Sequence, residues 1–119
     1  MARILIAEDD ELQRQLLVHR LQRQGHDVIP ACDGQELLDH LYISESPFDM
    51  VITDNCMAGT TGIEALRCIR IGDEYRHLPI IVFSDTDDPK TIETINKLGG
   101  TFINKREPER LLEAVGKLP

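Results

Sequence analysis

Ile4-Leu5-Ile6-Ala7-Glu8-Asp9-Asp10 sets an unbroken apolar run directly against three carboxylates. A strand with one wet face alternates apolar and polar residues; a run without alternation suits a strand covered on both faces. The same pattern returns twice. Met50-Val51-Ile52-Thr53 leads to Asp54, and Ile80-Ile81-Val82-Phe83 leads to Ser84 and Asp85. Amphipathic stretches separate the runs. The first spans 11–24 with Leu12, Leu16, Leu17 and Leu21 as its apolar positions, and Gly25 ends it where a left-handed residue costs least. A weaker strand, Asp27–Ala31, precedes a helix over 35–44 carrying Leu37, Leu38 and Leu41. The third strand covers 48–53, and the loop Ala58-Gly59-Thr60-Thr61-Gly62 opens a helix with Ile63, Leu66 and Ile69. Asp88-Pro89 reads as an N-cap followed by proline at the first helical position, ahead of Ile92, Ile95 and Leu98. A short strand over 101–103 and a last helix from Pro108 with Leu111, Leu112 and Val115 complete the pattern. Strand and helix alternate throughout with short connections. The expectation is one α/β domain over residues 1–119, a doubly wound (βα)5 arrangement on an open parallel sheet.

Composition narrows the function classes. The 119 residues carry a net charge of −8, which repels phosphate backbones and disfavours direct nucleic-acid binding. No stretch reaches the roughly 18 apolar residues of a membrane span, so no membrane role is expected. Cys32, Cys56 and Cys68 are odd in number and lack metal spacing. They read as reduced thiols of a cytoplasmic protein, Cys32 and Cys68 as small hydrophobes and Cys56 as a loop residue. His19, His26, His40 and His77 show no ligand spacing and read as surface residues.

In an open parallel sheet, ligands bind beyond the carboxyl ends of the strands. The residues just past each strand are therefore informative. Glu8, Asp9 and Asp10 come after the first strand, Asp54 after the third, Ser84 and Asp85 after the fourth, and Lys105 after the fifth. Glu8, Asp9 and Asp54 would repel one another if unpaired, and a hard cation such as Mg²⁺ resolves that conflict. Lys105 and the Ser84 hydroxyl suit a phosphoryl group, as a point charge and a hydrogen-bond donor. A carboxylate nucleophile, a cation, a lysine and a hydroxyl are the parts that phosphoryl transfer onto Asp54 requires. Read singly, each residue has a plainer role: Asp10 as an N-cap, Asp54 as a turn residue, Lys105 as a solvated charge, Phe102 as core.

These segments, with Phe83-Ser84 and Phe102-Ile103-Asn104-Lys105, together resemble a response-regulator receiver domain (CheY-like) of two-component signalling. The resemblance spans nearly the whole chain. It implies a flavodoxin-like five-stranded sheet in the order 2-1-3-4-5. It also implies Mg²⁺ held by Glu8, Asp9, Asp54 and the Cys56 carbonyl, with Asp54 as phosphoacceptor and Lys105 contacting the phosphoryl group. Ser84 and Phe102 become the switch pair. The donor implied is a phosphohistidine on a histidine kinase or histidine phosphotransfer domain. The output implied is a protein contact through the face of the fourth helix, fifth strand and fifth helix. A receiver is a phosphoacceptor with slow self-dephosphorylation and not a turnover enzyme.

Three positions depart from the family pattern. Ala58 and Arg106 stand where proline is usual, and Asp85 stands where a small residue is usual. A non-proline cis bond costs about 3 kcal/mol, so the Lys105–Arg106 peptide is expected to be trans. A haloacid-dehalogenase-type phosphatase would need a second aspartate at position 56, which is cysteine. A flavin module would meet its phosphate with Glu8-Asp9-Asp10, which repels it. A pseudo-receiver, acting as an interaction module without phosphorylation, is the alternative that Asp85 and Arg106 motivate.

Overall fold

The computed structural model describes residues 1–118; Pro119, the last residue of the expected domain, lies outside them. Ten elements alternate strictly along the chain: β1 (Arg3–Ala7), α1 (Glu11–Arg23), β2 (Asp27–Ala31), α2 (Gly34–Ile43), β3 (Met50–Thr53), α3 (Gly62–Ile71), β4 (Ile80–Ser84), α4 (Pro89–Lys97), β5 (Thr101–Asn104) and α5 (Pro108–Gly116). The strands form one sheet in the order β2-β1-β3-β4-β5, and every neighbouring pair is parallel. The doubly wound sheet expected from the apolar runs and the flavodoxin-like strand order implied by the resemblance are the ones observed.

The unbroken runs now have their reason. Successive strand residues point to opposite faces, and both faces are covered. Leu5, Ala7, Val51 and Val82 join α2, α3 and α4 in one core. Ile4, Ile6, Ile52, Ile81 and Ile103 join α1 and α5 in the other. The strand of mixed composition, β2, lies at the sheet edge, where Pro30 is tolerated because one side of the strand needs no partner. Local signals also hold. Asp10 and Asp88 accept from Gln13 and Lys90 backbone N–H groups as N-caps, and Pro89 opens α4. Gly25 has φ 90, the left-handed value that its place after α1 requires.

Several apolar expectations are corrected. Leu12 and Leu16 are 65% and 52% exposed, whereas Leu21 is buried and Leu17 and Val18 pack on the core. At about 100° per residue, Leu12 and Leu16 stand on a face adjoining the one that meets the sheet. Cys32 and Cys68 are exposed and not core. Cys32 lies in the loop past β2, its thiol 2.8 Å from a Glu36 carboxylate oxygen; Cys68 lies on the outer face of α3, two residues beyond buried Leu66. His26 and His40 are half-buried, and His26 Nδ1 accepts the Ala2 N–H at 3.0 Å. Strand β3 starts at Met50 and not at residue 48, because Phe48 leaves the ladder and packs under the Arg3 guanidinium, 4.2 Å from its ring centre.

Candidate functional site

The carboxyl ends of β1, β3, β4 and β5 carry Glu8, Asp54, Ser84 and Lys105 to one rim. Hydrogen bonds between neighbouring strands hold the register there. The Asp54 N–H donates to Ala7 O at 3.0 Å, and the Lys105 N–H donates to Ser84 O at 3.0 Å. The Lys105 ammonium closes the cluster. It donates to Glu8 Oε1 at 2.6 Å, Gln13 Oε1 at 2.8 Å and Asp54 Oδ2 at 2.9 Å. One carboxylate oxygen each from Glu8, Asp9 and Asp54 fall within 4.8 Å of one another; Glu8 and Asp54 are buried and Asp9 is exposed. Cys56, exposed in the turn past β3, donates its N–H to Asp54 Oδ1 at 3.3 Å.

Three carboxylates and one ammonium leave the cluster two negative charges in excess. A divalent cation of the oxygen-preferring kind matches that excess and that donor set, and the exposed Asp9 leaves a wet side for retained water ligands. Ser84 supplies a second mark of an incoming group. It is 0% exposed, and its Oγ is the one buried side-chain polar atom without a partner among the described residues. An orphaned buried hydroxyl costs free energy that a ligand oxygen would recover.

Burial pushes the Glu8 carboxyl above its usual range, and the Asp54 charge adds to it. The Lys105 hydrogen bond and the Asp10 N–H oppose the rise without cancelling it. For Lys105, burial acts downward, but the hydrogen bonds and charges of Glu8 and Asp54 outweigh it, leaving the ammonium held above its ordinary value. For Glu8 the folded state binds the proton more readily than the unfolded chain does. Metal-free stability therefore falls as pH rises from the ordinary glutamate range through the raised value, then levels. Glu8→Gln is expected to flatten that limb and to stabilise the metal-free protein at neutral pH. Urea unfolding at about pH 5 and about pH 7 measures it; an unaltered slope would refute the assignment.

Phe102 is half-buried on β5 and packs against the core beneath α4. Asp85 is exposed, and the Lys105–Arg106 peptide is trans, as anticipated. Two features escaped the sequence reading. Gln13, on α1, reaches Lys105. Arg106 bonds across the rim: its Nη2 donates to Asp87 Oδ1 at 2.7 Å and its Nε to Asn104 Oδ1 at 3.1 Å. The Asn104 amide also donates to Asp87 Oδ1 at 3.3 Å, tying the β4–α4 loop to β5. The signal available for Gln13 was its place three residues past the Asp10 N-cap, on the turn that borders the rim. For Arg106 it was only the charge opposite to Asp87.

The family model for the response regulator receiver domain matches residues 4–116. The receiver protein CpdR of Brucella abortus is 33% identical over 104 residues, covering 82% of this chain and 85% of its own. The sensor kinase/phosphatase CqsS of Vibrio cholerae is 35% identical over 98 residues, or 82% of this chain, yet this chain spans only 14% of its length. Among solved structures, Vibrio cholerae CheY4 superposes with a TM-score of 0.88 at 30% identity, covering 100% of this chain and 99% of that one. Thermotoga maritima TrrA, solved in complex with Mg²⁺-BeF, gives 0.84 at 27% identity with both chains fully covered, at 100% each. Fold, strand order and the match along the sequence agree, and the chain belongs to the response regulator receiver domain family.

Proposed function

We propose that this chain is a working receiver, a single domain that takes a phosphoryl group onto Asp54. A single observation supports the reading best: Glu8 and Asp54, two of three clustered carboxylates, both bind the Lys105 ammonium at the rim that also holds the unpartnered buried Ser84 hydroxyl. Glu8, Asp9, Asp54 and the Cys56 carbonyl would hold Mg²⁺, which when bound offsets the negative charge of donor and acceptor. The step is a displacement at phosphorus. A carboxylate oxygen of Asp54 forms the new P–O bond as the P–N bond to the donor imidazole breaks, and the imidazole nitrogen keeps the electron pair. Lys105 meets one phosphoryl oxygen with its ammonium, and Ser84 donates its hydroxyl to another. Water later attacks the acyl phosphate, restoring Asp54 and releasing phosphate; with one slow turnover per loading, the chain is a switch and not a turnover enzyme.

The donor is a phosphohistidine of a histidine kinase or histidine phosphotransfer domain, consistent with a sensor kinase among the relatives. Drawing Ser84 toward the phosphoryl group shifts the β4–α4 loop. Phe102 then turns inward, and the α4-β5-α5 face is recast for a downstream protein. Among the described residues no helix is long and apolar enough to cross a membrane, and a cytoplasmic setting accords with the proposed donor. The second reading, a pseudo-receiver, draws on the Arg106–Asp87 tie, which restrains the loop that follows Ser84. Intact mass after incubation with Mg²⁺ and acetyl phosphate separates the two. A working receiver gains one phosphoryl group, and loses that gain when a chelator is present. A mass that never changes favours the interaction module.

Asp85 sits directly after Ser84 and its exposed carboxylate takes no part in the loop's capping, which Thr86 and Asp88 carry out. An anionic donor meets that charge on approach. Asp85→Ala is expected to speed uptake from acetyl phosphate several-fold at low ionic strength, with the gain shrinking as salt is added. Equal rates for both proteins at low salt would remove Asp85 from the approach path.

A further inference from the structure

We propose that Gln13 is a positioning residue for Lys105, keeping the ammonium aimed at the site when Glu8 and Asp54 turn to a metal ion. The inference rests on the metal-dependent reading above. The Lys105 ammonium has three N–H donors and three acceptors: Glu8 Oε1, Gln13 Oε1 and Asp54 Oδ2. The two carboxylates are also candidate metal ligands, so a cation competes with Lys105 for them. The Gln13 amide oxygen is neutral, so a hard cation surrounded by carboxylates has little call on it. Only this third bond is free to persist through loading.

The geometry suits that task. Gln13 is the third residue of α1, and its backbone N–H is fixed by the Asp10 carboxylate at 2.9 Å. Its side chain is exposed, and among the described residues Lys105 is its only hydrogen-bond partner. The space beside it is a cavity of about 260 Å³, whose apolar lining includes Leu16, Leu17, Phe83 and Leu112. Those side chains offer an ammonium no acceptor. A lysine without Gln13 would either fall back on Glu8 and Asp54, competing harder with the metal, or lose its aim.

A double-mutant cycle tests this with Mg²⁺ affinity as the readout, measured by calorimetry at neutral pH, beside phosphorylation by acetyl phosphate. Gln13→Met removes the acceptor at similar length. It is expected to weaken Mg²⁺ binding about three- to tenfold and to slow phosphorylation, with the thermal midpoint unchanged. Gln13→Glu, which keeps an acceptor, restores the Mg²⁺ affinity. In a Lys105→Met background, or Lys105→Gln if the apolar chain unsettles the fold, Gln13→Met should change nothing. An equal loss with and without Lys105, or no loss with it, overturns the role of Gln13. A wild type that binds Mg²⁺ but gains no phosphoryl mass overturns the phosphoacceptor reading, while the cycle still decides Gln13. A wild type without measurable Mg²⁺ affinity overturns both.

Discussion

Asp54→Asn is expected to abolish phosphorylation by acetyl phosphate and Mg²⁺ while leaving the fold intact. Asp54 directly follows the central strand β3, flanked by β1 and β4, and its buried side chain meets Lys105 at 2.9 Å. An amide oxygen keeps the shape and accepts a hydrogen bond, yet it is a far weaker nucleophile than a carboxylate. The same change halves the excess negative charge of the cluster and so weakens the candidate cation site. The effect on stability should be small, because neutralising Asp54 removes a charge that helps hold Glu8 above its usual range but also removes an ion pair that helps hold the Lys105 ammonium. The metal-free variant should melt close to the wild-type temperature while intact mass shows no adduct. A phosphoryl mass that survives the substitution would overturn the assignment of Asp54 as acceptor.

The second large effect falls on a residue with no side chain. Gly62 opens α3 behind the Thr61 N-cap, and a Cβ there would overlap the Asp54 carbonyl oxygen and come within 2.9 Å of Asn55 Cα. Neither neighbour can yield cheaply. The Asp54 carbonyl also accepts the Thr53 hydroxyl at 2.9 Å, and the Asn55 carbonyl accepts the N–H groups of Met57 and Gly62 at 3.1 and 3.2 Å. Gly62→Ala is therefore expected to cost about 3 kcal/mol, the upper range for overpacking, and to lower the melting temperature by about 10 °C. Because the displaced backbone is that of the proposed acceptor residue, phosphorylation should slow as well. Gly116→Ala, where an added Cβ meets nothing, serves as the control and should leave both quantities nearly unchanged. A Gly62→Ala protein melting within about 2 °C of wild type would show that the loop accommodates the methyl group.

Gly62 also marks where sequence reading stops. A glycine in a loop ahead of a helix was legible, but its reason, the Asp54 carbonyl at its back, was not. Ile4-Leu5-Ile6-Ala7 and Ile80-Ile81-Val82 declared doubly covered strands because burial on both faces leaves no position for a polar residue. Asp88-Pro89 and Gly25 declared a helix start and a helix end because capping and left-handed backbone are decided within a few residues. The rim residues were legible because the end of a parallel strand is a fixed address in such a sheet. The period of α1, in contrast, did not separate buried Leu21 from exposed Leu12 and Leu16; docking against the sheet chose the face. The bond from Lys105 to Gln13 joins residues 92 apart in sequence, and the Arg106–Asp87 pair joins residues 19 apart. Strand runs and helix caps arise from short-range chemistry that the sequence of this protein carries by itself. Such cross-rim contacts exist only after β1, β3, β4 and β5 have paired in register and α1 and α5 have packed on one face, so the tertiary structure alone decided them.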